Sequence, residues 1–165
     1  MAKDKSVGKT AAAVFERSPS HLLRRAVQIS LDLYGEAAGA DAITQRQYAV
    51  LSAAAARDGA AQTELVAITG IDRSTLAEMI ARMIDKGLLE RERSASDARA
   101  NAVRLTEAGR TALDEASPKA AAADTRLLKL ISGRRRREAL VELLGDLVSA
   151  SEAPKKPKKN RKKPV

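Results

Sequence analysis

The sequence predicts a mainly α-helical protein with one small β-hairpin. Its 165 residues are about the length of one domain with tails. Only three residues are aromatic (Phe15, Tyr34 and Tyr48) and alanine is abundant, which favours helices over a β-sandwich or barrel. Between residues 89 and 105 the apolar spacing changes from a helical period to an alternation of two, and this change predicts the hairpin.

The first two helices are predicted by their capping residues. Ser18-Pro19 is a typical helix start, and the apolar residues after it share one face as far as about residues 35–39. Thr44 and Gln47 have the spacing of a capping box. A second helix is therefore predicted from Thr44 towards Asp58-Gly59.

The next two helices are short and are joined by a tight turn. Gln62–Thr69 has a helical pattern that Gly70 ends, and Asp72 is suited to cap a further helix that runs to Gly87. The apolar residues expected to face inward from this helix are Leu76, Met79, Ile80, Met83 and Ile84. Two short helices with a glycine in the turn between them have helix-turn-helix spacing.

The hairpin and the C-terminal helices complete the pattern. A strand beginning at Leu89 leads to the polar tip Ser94–Arg99 and returns to Leu105, after which Thr106 is suited to cap a helix. Pro118 is expected to end or kink that helix, because proline lacks the amide donor and its ring clashes with the preceding turn. The last helix carries a leucine- and valine-rich stripe between residues 140 and 148, which needs a partner.

The positive charge of the chain is concentrated at its ends. The formal net charge is +9, yet residues 1–18 carry four Lys/Arg against two acids and residues 151–165 carry seven against one. Pro/Lys-rich ends of this kind are expected to be disordered. They are either phosphate-binding arms or solvated tails, and the sequence leaves both interpretations open.

Composition excludes several classes of function. The chain has no cysteine and a single histidine, His21, so thiol chemistry and Cys/His metal sites are excluded, and no catalytic constellation is present. We therefore expect a protein that is not an enzyme and that has no metal and no cofactor. No apolar stretch approaches the roughly 20 residues of a membrane span, so we expect no membrane partner and a cytoplasmic location.

Residues about 41 to 113 resemble the winged helix-turn-helix domain of the MarR family of bacterial transcriptional regulators. The resemblance is carried by TELVAITGIDRSTLAEMIARMIDKGLLERE and by DARANAVRLTEAG, with its Asp-x-Arg tip and LTEAG exit. The first helix and the leucine-rich C-terminal helices fall where the family has its dimerisation helices. Ala61 departs from the pattern, since a Ser or Thr cap is usual there, and Thr63 is the alternative cap.

The resemblance implies a homodimer on double-stranded DNA, with a recognition helix in each major groove and a wing tip in each flanking minor groove. Dimer symmetry then predicts a pseudo-palindromic operator with half-sites about 10 bp apart. Arg99 is expected to enter the minor groove, oriented by Asp97. Arg91 and Arg93 are weaker candidates, because an alternating Glu-Arg strand could neutralise itself. The candidate DNA-binding residues are Thr63, Arg73, Ser74, Thr75, Glu78, Arg82, Arg91, Arg93, Asp97 and Arg99.

The resemblance also implies a small ligand between the dimerisation helices and the DNA-binding lobe. HLLRR, ITQRQYAVL and TGIDRSTLA look like the branch of the family that governs aromatic-acid catabolism and senses hydroxycinnamoyl-CoA type ligands. Ring faces and fixed cations in the first two helices suit an aromatic acid or an anionic acyl-CoA thioester. These candidates are His21, Arg24, Arg25, Tyr34, Arg46 and Tyr48. The alternative is that the tyrosines are core residues and the arginines are solvated.

The resulting interpretation is a ligand-responsive repressor on the bacterial nucleoid. It predicts a basic N-terminal tail (1–17), a MarR-like domain (18–150) and a Lys/Pro-rich tail (151–165). Within the domain, the DNA-binding part covers about 41–113 and the dimerisation helices cover about 18–38 and 114–150. The alternative is a constitutive architectural protein that binds DNA through its basic tails.

Overall fold

The residues that the computed structural model describes, 14–93 and 101–152, form helices and a small three-stranded sheet. This arrangement confirms the predicted fold class. In chain order the elements are α1 (Pro19–Ala38), α2 (Gln45–Ala56), β1 (Ala60–Ala61), α3 (Gln62–Thr69), α4 (Arg73–Asp85), β2 (Leu89–Arg93), β3 (Asn101–Leu105), α5 (Glu107–Lys129) and α6 (Arg134–Glu152).

The chain divides into two compact units, residues 1–127 and 128–165. The first unit contains α1 to α4, the sheet and nearly all of α5. The second contains the last residues of α5 and all of α6, and no residue of α6 is buried within it.

The predicted caps of α1 and α2 are present. The Ser18 hydroxyl accepts a hydrogen bond from the His21 amide at 3.3 Å. Thr44 and Gln47 form a reciprocal capping box: the Thr44 side chain accepts from the Gln47 amide, and the Gln47 side chain accepts from the Thr44 amide. These bonds satisfy backbone donors that a helix start otherwise leaves without partners.

One hydrophobic core holds the helices of the first unit to its sheet. Its largest fully buried side chains come from α2, α3, α4 and the two long strands: Val50, Leu51, Leu65, Leu76, Ile80, Met83, Leu89 and Val103. A second, smaller cluster joins Tyr34 of α1 to Ala120 and Ala123 of α5. Burial of this apolar surface is the main favourable term that fixes α4 on the unit.

The sheet is antiparallel, with strand order β1-β3-β2. Leu89 pairs with Leu105 and Arg91 with Val103, so alternate residues of each strand face the core. Leu89 and Val103 are buried on that face. The hairpin predicted from the change of period is therefore present up to the segment 94–100, which lies outside the described residues.

The start of α5 packs closely against the end of α4. The Thr106 hydroxyl donates to the Gly87 carbonyl at 2.6 Å and accepts from the Gly109 amide at 3.0 Å. A Cβ atom at position 109 would lie 2.0 Å from the Leu88 carbonyl oxygen, which is a severe clash. The glycine of the LTEAG motif is thus required by the close approach of α5 to the α4–β2 turn.

Of the two effects predicted for Pro118, the end of the helix is wrong and a kink stays a prediction. Pro118 lies inside α5, which continues to Lys129. Pro118 is exposed, and so is Asp114, whose carbonyl loses its helical donor, while Ala116, Ala120 and Ala123 on the other side are buried. Tertiary packing of this alanine face outweighs the local preference of proline.

Candidate nucleic-acid interface

The first turn of α4 is organised by Asp72. Its carboxylate accepts hydrogen bonds from the Thr75 amide at 3.0 Å and from the Ser74 hydroxyl at 2.7 Å. The bonds from Thr75, and then those from Ser74, lower the pKa of the Asp72 carboxyl because they favour its charged form. Asp72 therefore fixes both the start of α4 and the position of Ser74.

Two sides of α4 have opposite character. Leu76, Met79, Ile80 and Met83 are buried against the core. Thr75 is half-buried, and the other four predicted contact residues of this helix are exposed: Arg73, Ser74, Glu78 and Arg82. Ser74, Glu78 and Arg82 share the side away from the core, with Thr75 at its edge. Arg73 lies about two turns before the buried Ile80, on the core side of the helix, and is exposed at the helix start. A contact of these residues with DNA stays a prediction.

The turn before α4 contains a glycine, Gly70, in the left-handed backbone conformation. Gly70 has a φ of 66°, a conformation that side chains rarely adopt, and its amide donates to the Val66 carbonyl. α3 begins at Gln62, and no side chain caps it; instead Glu64 accepts from the Ala61 amide at 2.8 Å. Thr63 is therefore not the cap of α3. It is an exposed residue of the first helical turn, where a DNA contact stays a prediction.

Of the four wing candidates, two lie in β2 and two lie outside the described residues. Arg91 is exposed and pairs with Val103 across the ladder, and Arg93 is the last residue of β2. Asp97 and Arg99 fall in the segment 94–100, for which the minor-groove contact stays a prediction. The strands lead into and out of that segment.

Arg104 was not among the sequence-based candidates. Its guanidinium lies between Asp58 and Glu92, with an Nη1–Oδ2 distance of 2.5 Å and an Nε–Oε2 distance of 2.6 Å. Glu92 is thus paired with Arg104 across the sheet. The signal available in the sequence was the strand alternation, which places Arg104 on the other face of the sheet from the buried Val103. On that face its directly paired residue in β2 is Glu90.

The tyrosines among the ligand candidates lie close together. Tyr34 is 3% exposed, and its hydroxyl donates to the Ile43 carbonyl at 3.0 Å. Burial, with the proximity of Tyr48, raises the pKa of Tyr34. The two rings have centroids 6.2 Å apart. Tyr34 therefore has a structural role in the smaller core cluster, and its hydroxyl is already engaged.

The remaining ligand candidates do not join this pair. His21 precedes Tyr34 by 13 residues, roughly 20 Å along α1, and its ring packs on Phe15 with centroids 4.3 Å apart. Arg24, Arg25 and Arg46 are exposed. A cleft of about 310 Å³ lies between the end of α1 and the start of α2, and Tyr34 is the candidate that lines it. Ligand binding by these residues stays a prediction.

An exposed helix backed by the core, a glycine turn before it and an antiparallel hairpin after it define a winged helix-turn-helix DNA-binding protein. The model of the MarR family matches residues 43–100. The transcriptional regulator HosA of Escherichia coli O111:H- is 35% identical over 108 residues, which are 66% of this chain and 79% of HosA. This chain belongs to the MarR family and is a transcriptional regulator rather than an enzyme.

Solved structures of family members have the same fold. BpsR of Bordetella bronchiseptica, whose DNA binding is regulated by 6-hydroxynicotinic acid, superposes with a TM-score of 0.76 at 28% identity, over 85% of this chain and 97% of BpsR. The transcriptional repressor CouR bound to a 23-mer DNA duplex gives a TM-score of 0.71 at 30% identity, over 81% and 94% of the two chains. CouR from Rhodococcus jostii RHA1 is also known bound to p-coumaroyl-CoA.

Two kinds of feature are absent from residues 14–93 and 101–152. These residues contain no helix long and apolar enough to cross a membrane. Within the same ranges, no group of three or more His, Asp or Glu side chains is placed to hold a metal ion.

Proposed function

We propose that this chain is a repressor that binds a pseudo-palindromic DNA site as a homodimer and is released by a small aromatic acid or an aromatic acyl-CoA thioester. The observation that carries the proposal is the exposed side of α4, where Ser74, Glu78 and Arg82 are accessible while Leu76, Ile80 and Met83 are buried in the core, with Arg73 exposed at the helix start. Such a helix enters a major groove without rearranging its own core. The proposed site of action is the bacterial nucleoid.

The homodimer is supported by apolar surface that each unit leaves exposed. In α1, Leu22 and Val27 are more than half exposed, and Leu143 and Leu147 in α6 likewise. Exposed apolar residues repeated along a helix are typical of an interface with another subunit. The proposed boundaries are unchanged: a MarR-like domain over 18–150, with its DNA-binding part over about 41–113, and basic tails on either side.

The ligand class is supported by the comparisons. BpsR responds to 6-hydroxynicotinic acid and CouR binds p-coumaroyl-CoA, and both share the fold of this chain at 25–30% identity. Both molecules combine a flat ring with a negative charge. The cleft beside Tyr34 has room for a ring of this size.

The proposal is tested with a DNA duplex selected by the full chain from a randomised library. We expect the selected site to have two-fold symmetry with half-sites about 10 bp apart. 6-Hydroxynicotinic acid or p-coumaroyl-CoA should release the duplex in an anisotropy titration and raise the melting temperature of the free protein. Coenzyme A alone is the matched control for the thioester.

Different failures contradict different parts of the proposal. Selection of no sequence from the library would contradict sequence-specific DNA binding. A symmetric site that neither compound nor other aromatic acids release would contradict the ligand class while leaving DNA binding intact. A monomer mass in sedimentation, with DNA sites of a single half, would contradict the homodimer.

A further inference from the structure

Arg104 joins three separate segments of the first unit. Its Nη1 donates a hydrogen bond to Asp58 in the turn after α2, and its Nε lies 2.6 Å from the Glu92 carboxylate in β2. The Glu92 contact is a close ion pair without hydrogen-bond geometry. We call Asp58, Glu92 and Arg104 the Arg104 clamp, because one guanidinium ties the α2–β1 turn to both strands of the hairpin.

The register of the sheet explains why these residues meet. Glu90 is directly opposite Arg104 and Glu92 is opposite Ala102, so Glu92 is a diagonal neighbour on the same face as Arg104. Diagonal pairs are within reach of long side chains. A Cβ atom at Gly59 would lie 3.4 Å from Arg104 Nη2, so the guanidinium rests against the backbone of the turn.

The clamp lies at the stem of the hairpin. Glu92 is one residue before the end of β2, and Arg104 is three residues after the start of β3. The segment between these strands contains Asp97 and Arg99, the residues predicted to reach the minor groove. Because β2 and β3 carry this segment, we expect the direction of the stem to affect a DNA contact made there.

We propose that Arg104 is a positioning residue for DNA binding, which holds the hairpin stem in a fixed direction relative to α2 by pairing with Asp58 and Glu92. This inference rests on the proposed function, since it assigns the hairpin to a DNA contact. It adds a specific cause for the orientation of the hairpin stem. That cause is the pairing of Arg104 with Glu92, which share the face of the sheet away from the core, and with Asp58.

The clamp acts locally rather than on global stability. The side chains of Arg104, Asp58 and Glu92 are 38%, 71% and 61% exposed. Exposed ion pairs contribute little to the free energy of unfolding, although a guanidinium shared by two carboxylates restricts the segments that carry them. Loss of the clamp should therefore change DNA affinity more than the melting temperature.

The direction of the change in DNA affinity distinguishes a positioning role of Arg104 from a general effect of charge. Asp58→Asn and Glu92→Gln each remove a negative charge, so bulk electrostatics predicts tighter DNA binding. Release of Arg104 to contact a phosphate would also tighten it. Positioning predicts weaker binding. Glu90→Gln is the matched control, because Glu90 lies in the same strand and carries the same charge but makes no ion pair with Arg104.

The experiment uses the full chain and the duplex that the wild type selects from a randomised library. We expect Arg104→Gln, Asp58→Asn and Glu92→Gln to weaken binding about three- to tenfold, within the range of coupling between neighbouring charged residues. Glu90→Gln should bind as tightly as the wild type or more tightly. Arg104→Lys should be intermediate, because lysine is a point charge and cannot contact both carboxylates as a fork.

A measurement without DNA tests the clamp separately. Hydrogen exchange of amides in 89–93 and 101–105 should be faster in Arg104→Gln and Asp58→Asn than in Glu90→Gln, with exchange in α4 unchanged. Unchanged exchange in these strands, or tighter DNA binding by Asp58→Asn and Glu92→Gln, would overturn the inference alone. A wild-type chain that selects no duplex would contradict the proposed function and with it the role of Arg104 in DNA binding.

Discussion

Asp72 and Arg73 are neighbours in the chain and have different roles. Asp72 accepts hydrogen bonds from Thr75 and Ser74 and so belongs to the helix start. Arg73 is exposed on the first turn and belongs to the surface proposed to contact DNA. Substitutions at the two positions should therefore affect different measurements, one the melting temperature and the other the DNA affinity.

The contribution of Asp72 to stability should depend on pH. Because its pKa is lowered in the folded state, Asp72 stabilises the protein above the unfolded pKa of about 3.9, and this contribution is lost as the pH falls towards the lower folded value. We expect the melting temperature of the wild type to exceed that of Asp72→Asn by a constant difference from about pH 8 to pH 5. Below about pH 4 this difference should become smaller. Calorimetry measures the two melting temperatures. A difference that stays constant down to about pH 2 would contradict a stabilising role of the charged Asp72 carboxylate.

Arg73→Ala should weaken DNA binding without changing the fold. Loss of one arginine contact to a base edge or phosphate corresponds to about 1–3 kcal/mol, or roughly five- to 150-fold in affinity. The melting temperature should stay within about a degree of the wild type, since surface substitutions change stability little. Arg134→Ala removes the same charge from an exposed position in α6 and is the control. Equal effects of the two variants on binding would contradict a specific contact by Arg73.

At the residue scale, contacts between residues close in sequence could be predicted, and contacts between distant residues could not. The caps at Ser18, Thr44 and Asp72 were predictable because each acts within three residues of itself. Arg104 was not, because its partner Asp58 is 46 positions away and the pairing depends on how the α2–β1 turn meets the sheet. His21 and Tyr34 were expected in one site because they share a helix, but the rise of that helix separates them.

At the scale of elements, periodicity predicted the order of the helices and of the two hairpin strands but not the short strand β1, and tertiary packing decided where the prediction failed. α5 shows this most clearly, since it continues through Pro118 on the strength of a buried alanine face. No local pattern reports that Ala120 and Ala123 pack beside Tyr34 of α1. The bounds of α3 agree with the predicted Gln62–Thr69, but its cap was not predicted: no side chain caps the helix start, and Glu64 from inside the helix accepts from the Ala61 amide.

Pro118→Ala should stabilise the first unit. Alanine restores the amide donor inside α5, and the gain of up to about 3 kcal/mol over proline is partly offset by about 0.4–1 kcal/mol from a more flexible unfolded chain. We expect the free energy of unfolding to rise by about 1–2 kcal/mol in urea denaturation, with an unchanged slope. A lower free energy of unfolding would show that the packing of α5 depends on the proline.

At the scale of the whole molecule, charge and selectivity are separated along the chain. Most of the net charge of +9 lies in residues 1–18 and 151–165. The proposed contact surface depends instead on a few residues of α4 and the hairpin. On the hairpin stem, the positive charge of Arg104 is paired with the carboxylates of Asp58 and Glu92. Sequence selectivity should therefore reside in the folded part, while the tails add affinity for any duplex.

The most direct test of the central claim is a competition measurement on a chain truncated after Glu152. Binding to the selected duplex and to a scrambled duplex of equal length is compared with that of the full chain at several salt concentrations. We predict weaker binding to both duplexes and a shallower salt dependence, with an unchanged ratio of the two affinities. Loss of that ratio on truncation would contradict the account, because selectivity would then come from the basic tail rather than from α4 and the hairpin.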